Sequence, residues 1–182
     1  MNLNRIVMAA ACIAINVGLA KVATLLQLPV YLDTPGTILA AALLPPTWAI
    51  GIAVSTSVVG ALTINGVWIY YVGTQIVIAS AILLAARCGF LKKWWTSIIS
   101  GVGVGICAAI VSAPVTVIVF GGVTVPGPTA INAVLLASGR TLWQSVLAGS
   151  LFIELLDKPT AALLSWMVIQ RLPRHLFGKT LE

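Results

Sequence analysis

The sequence predicts an all-α membrane protein: a six-transmembrane-helix bundle with a short second helix and a long outer loop between helices five and six. Three observations carry this expectation. Hydrophobic residues make up 60% of the 182 residues and charged ones only 8%, against about 25% charged in soluble domains. Apolar runs close to the ~20 residues that cross a bilayer recur along the chain. The basic residues sit at the ends of those runs, as orientation signals do. The whole chain, residues 1–182, reads as a single integral membrane domain with helices at 5–26, 35–45, 47–64, 67–87, 94–120 and 141–172. No polar stretch is long enough for a soluble domain and no Walker-type loop occurs, which excludes a built-in ATPase. The net charge of +6 belongs to helix ends rather than to a basic surface, so no nucleic-acid binding is expected.

Taken in order, the first helix carries Asn16 and Lys21 as polar exceptions, and Ala10 and Ala14 as a small-xxx-small pair suited to close helix contact. Its apolar run leads on into further membrane segments, so it reads as a retained helix and not as a secretory leader. A loop over 27–34 contains Pro29. Asp33 or Thr34 is placed to cap the next helix, and Pro35 suits its first turn. Residues 36–64 are continuously apolar except at Pro45-Pro46. Two helices here, and six crossings in all, put Arg5, Arg87, Lys92, Lys93, Arg171, Arg174 and Lys179 on the cytoplasmic side, seven of the ten basic residues. One kinked helix splits them between the two sides. The charge distribution selects six crossings, although the second helix is then too short to span alone.

Asn65-Gly66 marks an outer turn. The fourth helix opens with Trp68, Tyr70 and Tyr71, and Gln75 lies one turn deeper. These aromatics fit an interfacial belt or a pocket wall, while Trp94 and Trp95 fit the belt at the opposite face. Helix five contains Pro114, which frees a backbone carbonyl, and Gly101, Gly103 and Gly105, which suit close helix packing. Residues 121–140 form the long outer loop, rich in Gly and Pro, with Asn132 and a short apolar run able to turn back as a helix. A loop of that length is a candidate lid. Arg140, on the outer side, fits either an anion or carbonyl contact or a pair with an acid such as Asp33.

The last helix holds Glu154, Asp157 and Lys158 within five residues. A charge at membrane depth costs about 2.5–3.5 kcal/mol on insertion scales, so such residues face a cavity or a partner. Glu154 and Lys158, at i and i+4, could simply satisfy each other, or the three could form the polar wall of a ligand cavity. Asp33, Asn65, Trp68, Tyr71, Gln75, Asn132 and Arg140 converge on the same outer side. Together they predict an outward-facing site for a small polar ligand. Cys12, Cys88 and Cys107 lack a C-x-x-C pair and read as small buried hydrophobes. The single His175 lies in the basic tail. No His/Cys/Asp cluster points to a metal, and no activated Ser, Cys or His constellation points to an enzyme, so neither a catalytic residue nor a cofactor is expected.

Several local motifs, in order and spacing over nearly the whole chain, resemble the substrate-binding (S) component of energy-coupling factor (ECF) vitamin transporters, closest to the riboflavin-transporter-like branch. They are Leu32-Asp33-Thr34-Pro35-Gly36-Thr37, Leu44-Pro45-Pro46, Phe120-Gly121-Gly122-Val123-Thr124, Leu136-Ala137-Ser138-Gly139, Leu156-Asp157-Lys158-Pro159 and Arg171-Leu172-Pro173. Pro45-Pro46 stands where a Gly-Pro is common in the family. The resemblance implies a multi-pass protein of the bacterial cytoplasmic membrane, with both termini cytoplasmic, that captures a vitamin-like small molecule from outside. It implies docking on a transmembrane coupling subunit with two ATPase subunits, which use the ATP, through small residues that map to Ala10 and Ala14. It places substrate contacts at Asp33, Asn132, Asp157 and Lys158, with Trp68 and Glu154 beside them. Capture, loop closure and toppling of the bundle are the mechanism so implied. A stand-alone membrane transporter or ligand sensor is the other reading of the same residues.

Overall fold

The computed structural model describes residues 3–172. Arg174, His175 and Lys179 of the expected basic tail lie outside the described residues. Seven α-helices follow one another: α1 (Leu3–Leu25), α2 (Pro35–Leu43), α3 (Pro46–Thr63), α4 (Val72–Arg87), α5 (Trp94–Phe120), α6 (Pro126–Ala137) and α7 (Leu142–Arg171). A 3-10 turn, Gly66–Tyr71, leads directly into α4. Four helical stretches are long and apolar enough to cross a membrane: Leu3–Leu25, Pro46–Thr63, Gly66–Arg87 and Trp94–Phe120. The 30 residues of α7 extend about 45 Å at 1.5 Å per residue, but Glu154, Asp157 and Lys158 interrupt its apolar character.

The bundle is built with small residues inside and large ones outside. Ala40, Ala41, Ala42, Ala49, Ala53, Ala79 and Ala108 are wholly buried, whereas Leu62, Ile118, Leu25 and Val134 are among the most exposed side chains. Where the surroundings are lipid, burying a leucine gains nothing over leaving it outside, and close approach of backbones becomes the source of packing energy. The seam between α5 and α7 follows that rule. A Cβ on Gly101 would lie 2.5 Å from Pro159 Cα, and one on Gly105 would lie 2.7 Å from the Glu154 carbonyl oxygen. Gly103, expected to share that role, faces open space, because two residues along a helix from Gly101 is about 200° round the axis.

The apolar run 36–64 is divided at Pro45-Pro46. Leu44 is extended, Pro45 precedes the next helix, and Pro46 occupies its first turn, where the missing N–H is no loss. α2 is only nine residues long and is buried along Pro35–Ala42, lying against α1, α3, α4 and α7. Its start departs from the expected capping. Thr34 occupies the N-cap position but makes no side-chain cap bond, and Asp33 turns its carboxylate elsewhere. Asn16 of α1 replaces the cap: its Oδ1 accepts from Gly36 N at 2.6 Å, and its Nδ2 donates to Thr37 Oγ1 and Thr56 Oγ1, each at 3.0 Å. Any side chain at position 36 would strike the Cys12 carbonyl of α1, so glycine is what lets α1 and α2 meet.

The expected long outer loop is mostly a helix. Gly121, in the left-handed region at φ 57°, closes α5 with its N–H on the Val117 carbonyl, and Gly122 N–H returns to Thr116 O at 2.9 Å, the bonding of a glycine-terminated helix. Pro126 then starts α6 in its first turn. α7 begins at a capping box: Thr141 Oγ1 accepts from Gln144 N, and Gln144 Oε1 accepts from Thr141 N. Both α5 and α7 run on through their internal prolines, Pro114 and Pro159. Of the cysteines only Cys12 is buried; Cys88 and Cys107 lie on exposed positions, contrary to the expectation that all three are interior.

Candidate functional site

Lys158 organises the polar interior. It is 2% exposed, and its Nζ lies 2.6 Å from Asp157 Oδ2, 3.0 Å from Asp33 Oδ1 and 3.2 Å from Glu154 Oε2. The first two contacts are hydrogen bonds. The third faces the ammonium without hydrogen-bond geometry, so Glu154 Oε2 has no hydrogen-bond partner. A charge this deep is stable only when its desolvation is offset by several good contacts, and here one ammonium meets three carboxylates from two separate parts of the chain.

Each carboxylate does a second task. Asp157 Oδ1 accepts from Tyr31 N at 3.0 Å and Leu32 N at 2.6 Å, clamping the loop between α1 and α2 onto α7. Leu32 is held there at φ 51°, a left-handed conformation that a leucine adopts only when its surroundings impose it. Asp33 Oδ2 accepts from Gln75 Nε2 of α4. Glu154 lines a cavity. Tyr31 brings its ring to 5.7 Å from the Lys158 ammonium, a cation–π distance. Burial, with Glu154 nearby adding to it, pushes the Tyr31 phenol well above its ordinary pKa, so it stays protonated.

The cavity measures about 70 Å³, room for several waters at the ~10–15 Å³ that holds one. It sits at the end of the bundle where the α1–α2 loop, the 3-10 turn and the start of α6 come together. Its aromatic wall is Tyr31, Trp68 and Tyr71, and its charged floor is Asp33, Glu154 and Lys158. Gly60 of α3 makes the space in which the Trp68 indole lies. Tyr71 is fixed from behind, its hydroxyl 2.7 Å from Thr116 Oγ1 and its ring stacked 6.1 Å from Phe120. Gly127 of α6 closes one rim: a Cβ there would stand 2.5 Å from the Leu28 carbonyl.

Asp33, Trp68, Tyr71, Gln75, Glu154 and Lys158 therefore meet at one cavity, as their placement in the sequence predicts. The remaining candidates do not line it. Asn65 is exposed, and its Oδ1 accepts from Val67 N to start the 3-10 turn. Asn132 donates to the Gly122 carbonyl at 3.1 Å and packs over Gly149, fastening α6 to α7. Arg140 is exposed in the α6–α7 link and forms no ion pair among the described residues; Asp33, its suggested partner, is taken by Lys158. Asp157 is wholly buried behind Lys158 and acts as a brace. The sequence reading also missed Tyr31, Ser57, Thr74 and Ser112, which do line the cavity. Tyr31 lay in plain view beside Asp33. The hydroxyl residues gave no signal, because in an apolar helix Ser and Thr ordinarily bond the carbonyl a turn back, as Thr24, Ser80 and Thr160 do here.

Among the described residues no group of three or more His, Cys, Asp or Glu side chains could hold a metal ion; the Lys158 ammonium fills the point where the acids converge. No family model, no curated protein and no solved structure matches this chain.

Proposed function

We propose that this protein is the substrate-binding subunit of an ECF-type importer of the bacterial cytoplasmic membrane. It takes a small vitamin, vitamin precursor or related heterocycle from outside and delivers it by docking on an ATPase-driven coupling module. The observation that carries the reading is the cavity: aromatic rings on one side, a few convergent polar groups on the other, at the end of the bundle away from Arg87, Lys92 and Lys93. Sites for small molecules combine apolar walls and a few polar groups in this way, and a cavity of about 70 Å³ has to widen at its rim of α1–α2 loop and α6 to admit a ring. In this reading the chain makes six passes, the short α2 and the turn at Pro45-Pro46 completing the second, and both termini are cytoplasmic.

The docking half of the proposal is supported by α1. Ala10, Ala14 and Gly18 are exposed along one line of the helix, and a Cβ on Gly18 would meet nothing within 4 Å. Such a face admits another helix closely. The test has two arms. Mass spectrometry of small molecules released by denaturing freshly purified protein should yield a stoichiometric heterocycle. Replacement of Ala10 and Ala14 together by Trp should abolish co-purification of the coupling and ATPase subunits while leaving the released ligand unchanged. A stand-alone transporter or sensor would show the ligand and no such partners.

A further inference from the structure

We propose that the cavity selects a flat, positively charged ligand rich in N–H donors, such as a protonated amino-heterocycle or an amidinium. This rests on the binding role argued above and names the chemistry the site accepts.

Among the described residues Lys158 is the only cation at the cavity, and its ammonium is enclosed by Asp157, Asp33 and Glu154, so it has little left to offer an anion. The Gln75 amide donates its N–H to Asp33. Turning the amide over would set its carbonyl against that carboxylate, so Gln75 presents an acceptor, and its Oε1 is buried and unpartnered. Glu154 Oε2 is likewise without a hydrogen-bond partner, on a side chain 3% exposed. Thr74 Oγ1 and Ser57 Oγ, also buried at the cavity and unpartnered, can accept equally well. Buried polar atoms are satisfied in folded proteins with few exceptions. Three unpartnered atoms and a carboxylate oxygen held by an ion contact without a hydrogen bond, all lining one cavity, mark places reserved for a ligand or for water.

Charge points the same way. Three acid side chains face one ammonium, so the cavity offers carboxylate oxygens to an incoming cation and no free positive group to an anion. The faces of Tyr31, Trp68 and Tyr71 suit a flat cation, both by stacking and by attraction of the positive charge to the ring quadrupole. Glu154 is the carboxylate least occupied by Lys158, and it is the natural partner for an incoming N–H.

The test uses three small probes of nearly one shape: benzamidinium, benzamide and benzoate. Binding of each to the full-length protein in lipid nanodiscs is measured by calorimetry and by thermal shift. The cation is expected to bind about tenfold tighter than the neutral amide, the gain when a hydrogen bond becomes charge-assisted, and benzoate is expected not to bind. Glu154→Gln should erase the preference for the cation over the amide. Equal or tighter binding of benzamide or benzoate overturns the charge assignment while leaving a binding cavity in place. Failure of all three to bind overturns the assignment of a flat-ring site. Neither outcome touches the co-purification test of the importer reading, which stands or falls separately.

Discussion

Two polar clusters lie within this apolar bundle, and they are built to different ends. Around Asn16 every polar atom is paired: both amide donors and the carbonyl oxygen reach partners on α2 and α3, all neutral, and none of these residues lines the cavity. Around Lys158 the groups are charged, acids outnumber the base, and Gln75, Glu154, Thr74 and Ser57 leave atoms unpartnered against an open space. A closed neutral cluster can do no more than hold helices together. An open charged one is costly to keep and stays useful only if something enters it. The difference separates scaffold from site more sharply than depth in the bundle does, since both clusters are equally buried.

The sharpest way to break the comparison is at Lys158 itself. Its three ion contacts make it part of the fold as well as of the cavity wall. Removing the ammonium leaves three buried carboxylates facing one another, and breaking such a cluster costs about 3–5 kcal/mol. Lys158→Met should therefore fail to yield folded protein, or should melt far below the parent in detergent. A variant of parental stability would mean that the carboxylates are not held ionised by Lys158. Next in size is Asn16→Ala, which orphans the Gly36 N–H while the Thr37 and Thr56 hydroxyls can turn to their own helices. A loss of about 2 kcal/mol in unfolding free energy is expected, with ligand affinity unchanged. Loss of affinity at constant stability would move Asn16 from scaffold to site. The smallest effect belongs to Asn65→Ala. That side chain caps an exposed turn and does not reach the cavity, so stability should fall by no more than about 0.5–1 kcal/mol. Probe binding, measured by calorimetry, should be untouched.

Much of the architecture was legible because it depends on local composition. Long apolar runs have to be helices where no water can satisfy the backbone, and proline positions set the breaks at Pro35 and Pro46. The six candidate residues that line the cavity share a recognisable signal: a charge, an amide or an aromatic ring where the pattern called for an aliphatic. The errors have a common physical source. Asn65, Asn132 and Arg140 were grouped with the site because they lie on its side of the bundle, but lying at one end of a bundle does not bring side chains within reach of one another. The Gly- and Pro-rich stretch after α5 is less loop than its composition suggests, because its glycines close α5 and its prolines open α6, the helix that the short apolar run allows.

By itself, then, the sequence determined that the chain is helical and apolar on its outside, where the breaks between helices fall, and that ionisable groups sit inside. Only the tertiary structure decided which of those groups meet. Asp33 and Lys158 lie 125 positions apart along the chain, and no periodicity links them. Their pairing depends on how α2 lies against α7, where Ser165 Oγ donates to the Pro35 carbonyl, and on the loop that Asp157 pulls down onto α7. The unpartnered atoms of Gln75, Thr74 and Ser57 are a property of that packing too, since a hydrogen bond left unmade becomes visible only when every neighbour is in place.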